Sequence, residues 1–264
     1  MQHFAVIGNP ISHSKSPLIH QLFSAQTGIA LSYTTIEVQS EDLAKTILNF
    51  PGQGLNVTMP FKQQAFYLMD ECSSRALSAQ AINTIKYLPD GSRYGDNTDG
   101  VGLINDLTLN KQITLTNKHI LLLGAGGAAR GLIVPLLNEQ PARLIIANRT
   151  FEKAIELAGR YNDTVIACPL AELKNFSADL VINAANVTTM PDITLNSGSS
   201  CYDLAYGRNT PFLQCAAQHA TQSWDGLGML IEQAAAAFYV WHGIYPLTNI
   251  IRQALEATYV NSTT

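Results

Sequence analysis

The chain has 264 residues, of which 47% are hydrophobic and 14% charged, and it carries a net charge of −4. That length suits one large domain or two modest ones, and the apolar content is ample for a packed core. With no run of Lys or Arg and a slightly negative balance, electrostatic attraction to nucleic acid or to an anionic membrane is not expected.

Strands and helices alternate from the start. Phe4 to Ile7 reads as a strand, Pro17 to Thr27 as a helix, Ser32 to Val38 as a strand and Ser40 to Asn49 as a helix. Leu55 to Thr58 is a further short strand, Met69 to Gln80 is a predicted helix, and Pro89-Asp90-Gly91 marks a hairpin. His119 to Leu123 then reads as a buried strand running into Gly124-Ala125-Gly126-Gly127-Ala128-Ala129-Arg130-Gly131, a glycine turn that opens a helix. Strand Ala142 to Ala147, helix Phe151 to Tyr161 and strands Asp179 to Asn183 and Ser200 to Leu204 follow, with the continuous apolar character of strands covered on both faces. The Ala-rich helix Gly228 to Gly243 follows the last strand, where it can return to the first domain. The class is therefore α/β. A three-layer N-terminal α/β domain, residues 1–99 completed by 227–264, is joined to a Rossmann-type doubly wound dinucleotide domain, residues 100–226. The active site is expected between the two.

The glycine turn is a dinucleotide fingerprint. Gly124 permits the tight turn, Gly126 lets backbone N–H groups approach a pyrophosphate, and Ala129 is the third small position, where helix packs on strand. After the next strand, where an NAD-binding chain usually carries an acid for the ribose 2′-hydroxyl, this chain has Asn148-Arg149-Thr150, with Lys153 a helical turn further. Positive charge and forked donors there suit a 2′-phosphate, which points to NADP(H).

Two further segments carry chemistry. In Asn9-Pro10-Ile11-Ser12-His13-Ser14-Lys15-Ser16-Pro17, Ser14 and Ser16 lie two apart in an extended loop, with Ser16 the expected N-cap and Pro17 the first helical residue. The segment reads equally as a plain capped helix or as a carboxylate site of two hydroxyls beside a helix N-terminus. In Asn56-Val57-Thr58-Met59-Pro60-Phe61-Lys62 a single Lys follows a proline-stiffened turn, and Gly95-Asp96-Asn97-Thr98-Asp99-Gly100 offers a carboxylate. Lys62 with Asp99 is either an acid/base pair at a substrate hydroxyl or a solvated Lys and a turn Asp.

Together these segments resemble the shikimate dehydrogenase family from end to end. The resemblance rests on the Ser-x-Ser-Pro loop, Asn-Val-Thr-x-Pro-Phe-Lys, Ala-x-Asn-Thr at Ala81 to Thr84, Asn97 to Gly100, the Gly124 to Arg130 turn, Asn148-Arg149-Thr150, and Gly226-Leu227-Gly228-Met229-Leu230 with Gln233. It implies NADP-linked, reversible oxidation of shikimate to 3-dehydroshikimate by hydride transfer at C3, a step toward chorismate and the aromatic amino acids. By matching position, Ser14 and Ser16 bind the substrate carboxylate, Thr58, Asn83, Asp99 and Gln233 its ring hydroxyls, and Tyr206 lies near the substrate. Lys62 is the catalytic acid/base and Asp99 its catalytic partner. Gly124, Ala125, Gly126, Gly127 and Ala128 form the cofactor loop, and Asn148, Arg149, Thr150 and Lys153 the phosphate clamp, with Gly226 and Met229 also at the cofactor.

Three places depart from the family pattern: Asn183-Ala184-Ala185-Asn186-Val187-Thr188, the shortened loop Tyr206 to Pro211, and Gln80 in place of a glycine. Altered cofactor contacts are expected from the first. The rivals are a quinate/shikimate dehydrogenase of relaxed specificity, against which Arg149 and Ser16 argue, and a non-catalytic NADP-binding sensor. The expected ligands are shikimate and NADP, with no nucleic acid, membrane or metal partner, in a monomer or homodimer. No targeting segment or apolar run of about eighteen residues is present, and Cys72, Cys168, Cys201 and Cys215 lack any CxxC spacing, so a cytoplasmic protein with free thiols is expected.

Overall fold

The computed structural model describes residues 1–161, 163–185, 190–220 and 222–261. Two compact units emerge, one of residues 1–106 with 229–264 and the other of residues 107–228.

The first unit opens with β1 (Gln2–Gly8), α1 (Ser16–Thr27), β2 (Leu31–Glu37), α2 (Leu43–Leu48), β3 (Gly54–Val57) and α3 (Lys62–Phe66). It continues with β4 (Glu71–Cys72), α4 (Ser74–Ala79), β5 (Thr84–Tyr87), β6 (Arg93–Asp96) and α5 (Asp99–Asn105). The sheet order is β2-β1-β3-β5-β6-β4. Strands β2, β1 and β3 run parallel, and β5 and β6 form the antiparallel hairpin expected around Asp90. Alternation along each strand divides the core. Ala5, Ile7, Leu55, Val57 and Ile85 face Leu43, Ile47, Ala65 and Ala76 from α2, α3 and α4. Phe4, from the other face of β1, packs on Ala237 and Trp241. The unit takes in α5, so its boundary falls after Asp106, beyond the Asp99 expected from sequence.

The helix predicted from Met69 to Gln80 is broken. Glu71 and Cys72 leave it to pair with Tyr94 and Gly95 of β6, and Ser73 then caps a new helix by accepting from the Ala76 N–H at 3.1 Å. Gln80 ends that helix in the left-handed region at φ 48°, which accounts for the family's glycine there. Helix α1 starts one residue earlier than expected. Ser16 is its first residue, Lys15 occupies the cap position, and the Ser14 hydroxyl accepts from the Ser16 N–H at 3.3 Å. The loop before it is not extended, because the Ser14 N–H closes a turn onto the Ile11 carbonyl at 3.0 Å.

The second unit holds β7 (His119–Leu123), α6 (Gly127–Asn138), β8 (Arg143–Ala147), α7 (Phe151–Ala158), β9 (Val165–Cys168) and β10 (Ser177–Asn183). It ends with β11 (Thr194–Asp203), α8 (Pro211–His219) and β12 (Gln222–Trp224). All its strand pairs are parallel. The order β12-β11-β10-β7-β8-β9 is the doubly wound arrangement, with its topological switch between β7 and β10. Leu121, Leu123, Ile145 and Val181 join one core cluster, and their neighbours Ile120, Leu122, Ile146 and Ile182 are equally buried, as a sheet covered on both faces requires. No helix among the described residues is long and apolar enough to cross a membrane.

Helices α9 (Leu227–His242) and α10 (Thr248–Asn261) return to the first unit. The Trp241 indole donates to the Ile85 carbonyl at 2.9 Å, and Lys86 donates to the Val240 carbonyl at 2.9 Å. Between α1 and α9 lies an aromatic nest around His20, stacked on Tyr33 with centroids 4.3 Å apart and flanked by Phe23, Phe238 and Trp241. Burial, then the neighbouring His242, pushes His20 down to about 3, so it is neutral in the folded protein. An unfolded chain would take up that proton from 6.5 downward. The contribution to stability is therefore complete above that value and is lost as pH falls toward about 3. His242 shifts the same way, through burial and then Lys86. Thermal midpoints measured from pH about 7.5 to about 5 should fall with acidity in the native protein and fall less steeply in His20→Leu; identical slopes would exonerate His20.

Candidate active site

The topology of the first unit gathers the candidate residues at one edge of its sheet. The loop bearing Ser14 follows β1, the turn bearing Thr58 and Lys62 follows β3, Asn83 precedes the antiparallel β5, and Asp99 follows β6. This is the carboxyl end of the parallel strands, where α/β sheets bind ligands. Backbone bonds tie the loops together. Asn9 N–H donates to the Met59 carbonyl at 3.1 Å, Thr58 N–H to Ile7 at 2.9 Å, Val57 N–H to Asn83 at 2.8 Å, and Ile82 N–H to Lys62 at 2.9 Å. Ser16 is buried, while Ser14 and Thr58 are half-buried.

Lys62 and Asp99 meet. The Lys62 Nζ lies 2.5 Å from Asp99 Oδ2, with the two side chains 14% and 4% exposed. The other carboxylate oxygen, Oδ1, accepts from the Asn83 amide at 2.8 Å. Asn83 Nδ2 also lies 2.9 Å from Thr98 Oγ1 and 3.1 Å from Gln233 Oε1, while Asn83 Oδ1 accepts from the Thr98 N–H at 2.9 Å. Gln233 in turn donates to the Leu230 carbonyl at 2.9 Å, so its carbonyl end is turned toward Asn83. Both oxygens of Asp99 serve as acceptors, which is the pattern of an ionised carboxylate. An ammonium pinned at one N–H by a buried carboxylate keeps its other N–H groups for a substrate oxygen.

Sequence reading missed the support around this cluster. Asp96 takes a bidentate fork from Arg75 at 2.6 Å on each oxygen and a 2.5 Å bond from the Ser73 hydroxyl, fixing the start of α4 to the end of β6. Thr84, Thr98 and Asn56 lie inside the quoted motifs but received no role. A polar residue at the end of an apolar strand in a chain so poor in charge was the available signal. Asn56 bonds Tyr33, Asn83 and Thr84, all far from it in sequence.

The second unit carries the nucleotide features at the carboxyl ends of its own strands. Gly124 has φ +114° and donates to the Ala147 carbonyl at 2.7 Å, and a Cβ on it would lie 3.1 Å from the Ala184 backbone. Gly126 caps α6, and a Cβ there would meet nothing within 4 Å, leaving open space over the helix N-terminus. Ala125 is buried, Gly127 and Ala128 are half-buried, and Ala129 is wholly buried where α6 packs. After β8, Asn148 donates to the Thr150 carbonyl at 2.8 Å. Arg149, Thr150 and Lys153 are exposed, and the Thr150 side chain makes no cap bond to α7. A diphosphate and a 2′-phosphate both find suitable donors in these two turns.

The remaining positions have structural explanations of their own. Gly226 donates to the Ala205 carbonyl at 2.9 Å, and any side chain on it would run into the Leu204 backbone. Half-buried Tyr206 begins a loop anchored by Gly207 N–H to Asp225 and by the Thr210 hydroxyl to Asp203. Asn183 bonds Asp203 and the Ala185 N–H, whereas Asn186, Val187 and Thr188 lie outside the described residues. Met229 is buried on α9, next to Gly102.

Gly102 sets the approach of α5 to α9. A Cβ at this position would lie 2.6 Å from the Gln233 Cβ and 2.7 Å from the Met229 carbonyl. Alanine for glycine in a helix ordinarily stabilises by about 1 kcal/mol. Gly102→Ala should instead lower the thermal midpoint, through an overpacking cost of about 1–3 kcal/mol; an unchanged or raised midpoint would show that the helices yield freely.

Comparison with known proteins agrees across the chain. The description "Shikimate dehydrogenase substrate binding domain" matches residues 6–85, "Shikimate / quinate 5-dehydrogenase" residues 106–196, and "Shikimate 5'-dehydrogenase C-terminal domain" residues 226–256. A shikimate dehydrogenase (NADP(+)) from Janthinobacterium sp. (strain Marseille) is 45% identical over 269 residues, covering 96% of this chain and 97% of the relative. The crystal structure of an Ael1 enzyme from Pseudomonas putida has TM-score 0.87 and 39% identity, covering 97% of this chain and 98% of that one. Shikimate 5-dehydrogenase from Thermus thermophilus, solved with NADP(H) and shikimate, has TM-score 0.84 and 29% identity, covering 97% and 99%.

Proposed function

The chain belongs to the shikimate dehydrogenase family, and from that membership and its polar cluster we propose that it interconverts shikimate and 3-dehydroshikimate with NADP(H), by hydride transfer at C3. The observation that carries the reading is the contact of Lys62 with Asp99 at 2.5 Å, with Asn83 on the second oxygen of the same carboxylate. The reaction is a step in the formation of chorismate and the aromatic amino acids.

When bound, NADPH supplies the hydride, and the protein supplies orientation and the proton. Ser14 and Ser16 hold the substrate carboxylate beside the start of α1, where the helix dipole favours an anion. Thr58, Asn83, Asp99 and Gln233 take the ring hydroxyls. In reduction, Lys62 hydrogen-bonds the C3 carbonyl oxygen, stabilises the negative charge that grows on it, and transfers its proton there; in oxidation the same nitrogen accepts the proton back. Asp99 keeps the ammonium in place. The turn from Gly124 to Ala128 holds the diphosphate, Asn148, Arg149, Thr150 and Lys153 hold the 2′-phosphate, and Gly226 and Met229 complete the cofactor site.

The four cysteines are free, which suits the reducing cytoplasm. The acid/base cluster is assembled from a single chain, so a monomer or a homodimer serves.

Initial rates followed by nicotinamide absorbance, with shikimate and quinate each paired with NADP+ and NAD+, should be highest for shikimate with NADP+. Lys62→Ala should lose about two to four orders of magnitude in turnover with KM little changed. Cofactor binding without turnover in the native protein would leave a nucleotide sensor, and near-native turnover of Lys62→Ala would remove Lys62 from the chemistry.

A further inference from the structure

Behind the acid/base pair runs a chain of hydrogen bonds anchored at two backbone groups of fixed sense, the Asn83 carbonyl and the Thr98 N–H. It starts at Tyr33, whose hydroxyl donates to Asn56 Oδ1 at 2.6 Å. The Asn83 backbone carbonyl, which can only accept, fixes the Asn56 amide nitrogen inward, donating to that carbonyl at 2.9 Å and to Thr84 Oγ1 at 3.1 Å. Having accepted there, the Thr84 hydroxyl donates to Asn83 Oδ1 at 2.9 Å. Asn83 Oδ1 is thereby held on the side away from the carboxylate, and its Nδ2 faces Asp99 at 2.8 Å. An amide is nearly symmetric in shape, and its flip would place a carbonyl oxygen against a carboxylate oxygen. Three donors oppose that flip, the Thr98 backbone N–H, the Thr98 hydroxyl at 3.1 Å and the Thr84 hydroxyl. Thr84 is wholly buried, so it acts on Asn83 without meeting solvent or substrate.

We propose that Thr84 is a positioning residue for the acid/base pair: its hydroxyl relays the polarity set at Asn56 to the Asn83 side chain, so that the Asn83 N–H faces Asp99 and keeps the carboxylate aligned on Lys62. The proposal rests on the dehydrogenase reading for its kinetic consequence and on geometry alone for its structural one. A buried hydrogen bond of this kind is worth roughly a tenfold effect when one partner is removed.

The test compares Thr84→Val with Thr84→Ser in the full-length protein. Valine keeps the shape and removes both the donor to Asn83 and the acceptor for Asn56; serine keeps both and removes a buried methyl group. Thr84→Val should lower kcat about tenfold with a smaller change in KM, and Thr84→Ser should recover most of the loss. A purely structural role predicts that kcat simply follows the thermal midpoint across the two variants. Values of kcat that follow the midpoint, or native kcat in Thr84→Val, overturn the proposal. A second reading needs no catalysis: the Asn83 side-chain amide protons, observed by NMR in the ligand-free protein, should shift and exchange faster in Thr84→Val than in the native protein or Thr84→Ser. Unaltered Asn83 signals overturn the proposal whether or not the enzyme turns shikimate over, whereas a native protein without turnover but with those shifts overturns the reaction and keeps the relay.

Discussion

The carboxylate of Asp99 is the point on which the polar cluster of the first unit turns. It is 3% exposed, and a buried charge is tolerable only when it is paired and hydrogen-bonded. One oxygen is met by an ammonium and the other by an amide, and each of those groups is tied to a different strand end. The ion pair is weak evidence for stability, since its members must be stripped of water, but it fixes where an ammonium stands. The Asp96–Arg75 pair, on the strand that leads to Asp99, has a different use. Its fork clamps the short helix α4 onto β6.

The two units solve different binding problems with related means. In the second, an all-parallel sheet leaves glycine turns and helix N-termini at its carboxyl edge, where backbone N–H groups are the donors on offer. In the first, the substrate to be recognised is a small polyhydroxy acid, for which backbone alone is a poor match. Its sheet reverses direction after β3, so that the residue preceding β5 lies beside the residues following β3 and β6. That reversal brings side chains from the motifs at Thr58, Asn83 and Asp99 to one edge, and the chain's return in α9 adds Gln233.

Much of this could be read from the residues in order. The Gly124 turn between an apolar strand and a helix and the Pro89-Asp90-Gly91 hairpin both use local chemistry, and local chemistry is what a sequence displays. Elements that exist because of a partner strand are harder. Glu71–Cys72 is two residues long and has no periodicity to detect, so a predicted helix absorbs it, and Gln222–Trp224 gives as little signal. The start of α1 moves because a neighbouring hydroxyl, not Ser16, meets its first N–H group. At the site, motif matching identifies Lys62 and Asp99, while the supporting bonds of Asn83 reach as far as Gln233, 150 positions away, which no local pattern encodes.

The order in which the chain is made gives the return of α9 a temporal meaning. Residues 107–228 form a contiguous unit that can close as soon as it has left the ribosome, whereas the earlier-made unit lacks Trp241 for the face of β1 and Gln233 for its amide cluster until translation has passed residue 242. The half made first is thus the half completed last, and a nascent chain stalled after the nucleotide fold would present Phe4 and its neighbours uncovered to chaperones.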